Sequence, residues 1–258
     1  MPKKIAVVTG ASSGLGREFV KLLSEKTSIE EIWVLARTRS KLEALAAEFP
    51  KEIRVFAMDL SDSAEILRFA AVLEEEKPEI LYLINNAGFA KFCSYQDLSI
   101  QESLNMVNLN CNGVLAMGLV CIPYMIQGSH ILNIASQASF QPLPYMNIYS
   151  ASKAFVRNYS RALHVELQSA GISVTAVCPG WMRTAFFDRA MIGAKKGISK
   201  FYGMVTPAVV AAKALRDAEK GKDISVYGVY VKLCHLVAKL LPQRAMMDLW
   251  LMQQGMYF

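Results

Sequence analysis

Along the chain, short runs of β-branched and aliphatic residues alternate with longer segments whose apolar positions recur every three or four residues. The short runs predict strands at 5–9, 32–36, 53–57, 81–85, 130–134, 173–177 and 224–227. The longer segments predict helices at 14–25, 40–49, 63–76, 101–125, 147–170 and 206–220. Ser61-Asp62-Ser63 and Thr206-Pro207 are helix starts, the first by side-chain capping and the second by a proline whose missing N–H costs nothing there. No repeat, low-complexity tract or linker interrupts the alternation. Strands alternating with helices predict an α/β fold with a doubly wound, parallel, seven-stranded sheet. The whole chain, 1–258, reads as a single domain, with a core of about 3–227 and a helical C-terminal extension over 228–258.

Open sheets of this kind bind ligands beyond the carboxyl ends of their strands, so the segments after each strand are where chemistry is expected. Thr9-Gly10-Ala11-Ser12-Ser13-Gly14-Leu15-Gly16 follows the first strand and opens a helix. Its glycines permit a tight turn, and the helix N-terminus behind them offers backbone N–H groups to a pyrophosphate. After the second strand, where an NAD site would offer a carboxylate to the ribose, stands Ala36-Arg37-Thr38-Arg39. Arg37 suits a 2′-phosphate and predicts NADP(H), with Arg39 a rival for the same contact. Asp59 and Leu60 follow the third strand, Asp59 either meeting the adenine or capping the next helix. Asn86-Ala87-Gly88, after the fourth, is a polar turn of small residues open to close approach.

The fifth strand runs into Ser136, and Tyr149 and Lys153 follow on a helix at i and i+4, on one face. A phenol is a sluggish proton shuttle at neutral pH, and a neighbouring ammonium favours its phenolate. Ser136 is placed to stabilise charge on a substrate oxygen.

Charge and cysteine content narrow the alternatives. The formal net charge is +6, and from Arg189 onward there are 11 Lys and Arg against 4 Asp and Glu. No basic run with interleaved aromatics accompanies that excess, so no nucleic-acid partner is expected. The five cysteines include no C-x-x-C pair and read as reduced thiols of a cytoplasmic protein. The three histidines lack ligand spacing, so no metal site is expected. The apolar stretch 226–241 is broken by Lys232, His235 and Lys239, which argues against a transmembrane span and leaves a surface-lying helix making peripheral membrane contact.

Taken together, these residues resemble the short-chain dehydrogenase/reductase family over about residues 3–220. The glycine turn, Asp59, Asn86-Ala87-Gly88, Asn108, Ser136, Tyr149 with Lys153, and Pro179-Gly180 followed by Thr184 stand in that family's order. The resemblance implies a Rossmann-type domain with strand order 3-2-1-4-5-6-7, assembled as a homodimer or homotetramer through two long helices. It implies that Tyr149 is the proton donor and acceptor, that Lys153 lowers its pKa and binds the nicotinamide ribose, and that Ser136 orients the substrate oxygen. Asn108 is aligned as the residue holding the proton-relay water, in preference to Asn110 or Asn112, because Val107 precedes it. Pro179, Gly180, Met182 and Thr184 are expected around the nicotinamide, and Asn86 and Ala87 on the adenosine side. The expected activity interconverts a ketone and a secondary alcohol; the alternative is a cofactor-binding regulator with little turnover. The segment with Phe186, Phe187, Met191, Ile192, Phe201, Tyr202 and Met204, interspersed with Gly193, Gly197 and Gly203, is either a deformable lid over a bulky apolar substrate (steroid, bile acid or fatty-acyl ketone) or part of the core.

Overall fold

The computed structural model describes residues 2–191 and 198–256. Ile192, Gly193 and Gly197 of the expected lid, and Tyr257 of the tail, lie outside the described residues. Seven parallel strands, β1 (Lys4–Thr9), β2 (Glu31–Ala36), β3 (Glu52–Ala57), β4 (Glu79–Asn85), β5 (Met125–Ile134), β6 (Ser173–Val177) and β7 (Ile224–Ser225), lie in the order β3-β2-β1-β4-β5-β6-β7. A parallel sheet is covered on both faces, which is why its strands read as nearly continuous apolar runs. Along β1, Ala6 and Val8 face one side and Ile5 and Val7 the other. On the first side they meet Phe19, Val20 and Leu23 of α1 (Gly14–Ser24), Leu42 and Leu45 of α2 (Arg39–Ala46), and Val210, Ala214 and Leu215 of α8 (Pro207–Glu219). On the second they meet Ile66, Phe69 and Leu73 of α3 (Ser63–Glu76) with Met117 and Cys121 of α5 (Gly113–Cys121). Each such fully buried large side chain contributes about 1.5–3 kcal/mol.

The strand order reverses between β1 and β4, and the cleft that binds ligands in such sheets opens there. One hydroxyl fastens that junction. Thr9 Oγ1 donates to Ile84 O (3.3 Å) and accepts from the backbone N–H groups of Asn86 and Ala87 (3.0 Å each).

The predicted helix 101–125 takes a different form. It is α4 (Ile100–Val107), a π-helical turn over Asn108–Asn112, then α5, ending in a 3-10 turn with Pro123. Met125 belongs to β5, where apolar residues on both sides of Pro123 had blurred the boundary. The run Ile100–Tyr124 is long and apolar enough to cross a membrane by length and composition alone. It connects β4 to β5, which are neighbours in one sheet, and it packs on α3 and α6 (Asn147–Glu166), so it is the crossover of the fold. Two further helices fill out the chain's end, α9 (Val229–Leu240) and α10 (Gln243–Gln254), and the short α7 (Phe186–Met191) forms part of the segment expected as a lid. The last strand is shorter than the predicted 224–227, and Gly228, at φ +86, turns the chain into α9.

Candidate active site

A cavity of about 390 Å³ opens at the carboxyl ends of the strands, spanning the topological switch point. Its floor is the glycine turn. Gly10 (φ +62) and Gly14 (φ +54) hold left-handed backbone that other residues adopt at a cost of about 1–2 kcal/mol. A Cβ on Gly16 would lie 2.3 Å from Gly10 O, so Gly16 permits the turn to close on itself and does not face the cavity. Asn86 braces the same turn, its Nδ2 donating to Thr9 O (3.2 Å) and Gly10 O (3.0 Å). Gly10, Ser12, Ser13, Gly14 and Leu15 line the cleft along the first turn of α1, whose N–H groups and dipole suit a pyrophosphate. The residues thus fit a dinucleotide, since the close approach its phosphates need is left open by glycines a side chain would fill.

At one end stand Arg37, Asp59 and Leu60, as the sequence predicts, together with Thr38 and Lys41, which it did not single out. Asp59 Oδ1 accepts from the N–H (2.9 Å) and hydroxyl (2.7 Å) of Ser61, while the cap of α3 is Asp62, which accepts from Ala64 N. Asp59 therefore shapes the turn before α3 and also faces the cavity. The rival Arg39 pairs with Glu43 (3.6 Å) and does not line the cleft. Arg189 of α7 closes over this end with its guanidinium 3.8 Å from the Phe89 ring centre. Burial, and after it the charge of Arg37, hold the Arg189 pKa below its ordinary value. Arg189 sits in a short helix that periodicity over so few residues could not reveal.

At the other end Ser136, Tyr149 and Lys153 meet. Ser136 follows β5 and is held extended (φ −170), accepting from Ala138 N at 3.1 Å. Tyr149 and Lys153 come from the first two turns of α6, both buried. Burial raises the Tyr149 phenol to about 12, while its hydrogen bond with Ser136 pulls it the other way. Burial lowers the Lys153 ammonium to about 8. The expectation that Lys153 depresses the phenol is not met in this geometry. Its Nζ lies 5.8 Å from the Tyr149 ring centre and donates to Ile134 O at 2.7 Å, and desolvation dominates.

Asn108 is the predicted catalytic residue that the fold does not bring in. Its Oδ1 accepts from Asn112 Nδ2 (3.0 Å), and it does not line the cavity. The π turn rotates Asn110 inward instead, fully buried, with Oδ1 accepting from Phe89 N (3.1 Å) and Nδ2 donating to Phe89 O (2.9 Å) and Ser152 Oγ (3.1 Å). A Cβ built on Gly88 would lie 2.9 Å from Asn110 Oδ1 and 3.4 Å from Lys153 Nζ, so the two side chains converge on Gly88.

Pro179, Gly180, Met182 and Thr184 line the side of the cleft between these ends. Pro179 O accepts from Gln137 N (2.8 Å), Met182 bridges to Val205, and Thr184 lies against Gly14. Beyond Tyr149 the wall is Leu143, Met146, Trp181, Phe186, Phe187 and Trp250, joined by the uncharged Gln137, Gln141 and Gln253. Phe186 and Phe187 belong to both the cavity wall and the packed interior. They face the cavity and also pack with Phe92, Trp181 and Phe201 at centroid distances of 4.9–6.2 Å. Met191, Tyr202 and Met204 are exposed and do not line the cavity.

A doubly wound sheet with a glycine-rich phosphate turn at its switch point, and a buried Ser, Tyr and Lys beside it, defines a dinucleotide-dependent oxidoreductase. The family model described as short chain dehydrogenase matches residues 4–194, and the chain belongs to that family. An uncharacterised oxidoreductase of Staphylococcus aureus is 31% identical over 185 residues, 70% of this chain and 79% of that protein. A very-long-chain 3-oxoacyl-CoA reductase of Anas platyrhynchos is 36% identical over 191 residues, 69% of this chain and 60% of that protein. Among solved structures, a short-chain dehydrogenase from Sphingobium yanoikuyae in complex with NADPH superposes with a TM-score of 0.79, at 26% identity and 96% coverage of both chains.

Proposed function

We propose that the protein is a cytoplasmic, NADP(H)-dependent oxidoreductase that interconverts a ketone and a secondary alcohol on a bulky apolar substrate. The observation that carries the reading is the convergence of Tyr149, Ser136 and Lys153 in one cavity with the glycine turn. The nicotinamide supplies the hydride when bound. In the reducing direction Tyr149 donates its phenolic proton to the carbonyl oxygen, and the Ser136 hydroxyl donates a hydrogen bond to the same oxygen as charge develops there. Lys153, charged below about pH 8, holds ribose hydroxyls beside the phenolate left behind. Asn110 fixes the Phe89 peptide and the Ser152 hydroxyl behind Lys153, the position first assigned to Asn108.

Arg37, Lys41 and Arg189 at the adenosine end, with no carboxylate at Ala36, support NADP(H) over NAD(H). The aromatic and methionine wall, uncharged beyond Lys153, supports an apolar substrate of steroid, bile-acid or fatty-acyl size. Exposed Leu104 and Leu119 on α4 and α5, with Phe155 and Val165 on α6, support a homodimer or homotetramer. The test is Tyr149→Phe, which removes the proton donor and almost no volume. Turnover should fall about 100- to 10,000-fold with NADPH affinity nearly unchanged. Activity within a few-fold of the parent refutes the mechanism, and selective use of small polar ketones refutes the substrate class.

A further inference from the structure

Helix α9 has two unlike faces. On the inner one Val231 is buried against Gly180, His235 stacks on Phe140 with ring centres 4.0 Å apart, and Tyr230 and Cys234 line the active-site cavity. On the outer one Val229, Leu233, Leu236 and Leu240 are 84%, 56%, 54% and 73% exposed. Their helical spacing brings all four onto one narrow stripe. Lys232 and Lys239, seven residues apart and both exposed, flank that stripe on one side, and α9 contains no Asp or Glu. Leu241 and Arg244, also exposed, continue the pattern into the start of α10.

We propose that this outer face of α9 docks on an anionic lipid surface. The leucine stripe suits the boundary between headgroups and acyl chains, and the two lysines extend past it to anionic headgroups while their stems stay on apolar surface. Charge selects this occupant over a second copy of the chain. Two α9 helices packed stripe to stripe bring four lysines together with no carboxylate on either helix to meet them. Docking in this way also sets the cavity wall formed by Tyr230 and Cys234 directly behind the lipid-facing surface.

The experiment is co-sedimentation of the full chain at low salt with vesicles of phosphatidylglycerol and phosphatidylcholine, and with phosphatidylcholine alone. Binding should favour the anionic vesicles at least about tenfold. Each lysine near such a surface contributes about five-fold, so Lys232→Gln with Lys239→Gln should weaken binding about 25-fold. Leu233→Gln with Leu236→Gln should abolish it, with circular dichroism and thermal midpoint unchanged because both residues are exposed. Equal binding to both vesicle types, or binding that survives the leucine changes, overturns the proposal. So does a drop in light-scattering mass on the leucine changes, which assigns the face to a second copy.

Discussion

Asn110 is the residue whose removal separates the two readings of the asparagine-rich turn. Its side chain satisfies both the N–H and the C=O of Phe89 in a fully buried position. Asn110→Leu has similar volume but satisfies neither group. A buried backbone group left without a partner costs about 1–3 kcal/mol, so the two together cost about 2–6 kcal/mol. That is a large share of the roughly 5–15 kcal/mol that holds a domain folded. At about 2–4 °C per kcal/mol for a chain this long, the midpoint should fall by roughly 5–20 °C. Asn108→Ala, which removes only a contact to the exposed Asn112, should fall by about 2 °C or less. Differential scanning calorimetry measures both, and steady-state assays below the lower midpoint measure turnover. There Asn110→Leu should be at least tenfold slower, because Gly88 and the Ser152 hydroxyl beside Lys153 lose their anchor. If Asn108→Ala proves the more damaging in both assays, the placement of Asn110 behind Lys153 is wrong.

Other substitutions probe the remaining parts of the site. Lys153 titrates near 8 in the folded protein against an ordinary 10.5, so between those values the unfolded chain holds more protons and stability rises with pH. Below that window the burden is fully present, about 3 kcal/mol at pH 7, and Lys153→Met should melt several degrees above the parent there, with the gap narrowing by pH 9.5; a gap that does not change with pH contradicts the burial. Gly16→Ala should eliminate NADPH binding in a fluorescence titration, since its Cβ meets Gly10 O at 2.3 Å, whereas Gly221→Ala, in open space at φ +66, should cost only about 1–2 kcal/mol of stability. Arg37→Ala and Ala36→Asp should each reduce the NADPH-over-NADH ratio of kcat/KM by about tenfold, and equal use of both cofactors by the parent refutes the role given to Arg37.

Where burial on both faces makes a strand a nearly continuous apolar run, as in β1 and β2, sequence alone located it to within a residue. The glycine turn was equally readable, because Gly10 and Gly14 are demanded by local backbone geometry. Phase was the weak point. The π turn at Asn108–Asn112 holds one more residue than an α-helical turn, and hydropathy does not register that extra residue, so the choice among three asparagines fell on the one facing outward. The direction of Lys153 was hidden for another reason. Spacing at i and i+4 puts it beside Tyr149 but says nothing of Ile134 O, which accepts its hydrogen bond. Trp250 could not be placed at all, since its indole donates to Pro144 O from more than a hundred residues away.

That last contact has a consequence for how such a chain can diversify. The family model's match stops at residue 194, yet Tyr230, Cys234, Trp250 and Gln253 all wall the cavity from beyond it. Ser136, Tyr149 and Lys153 rest on β5 and α6, and among the described residues their side-chain hydrogen bonds run to Ala138 and Ile134, not to α9 or α10. The tail is thus a replaceable cheek on a fixed jaw: new sequence grafted after Ser225 would recut the shape of the chamber, while the proton-handling groups keep their positions.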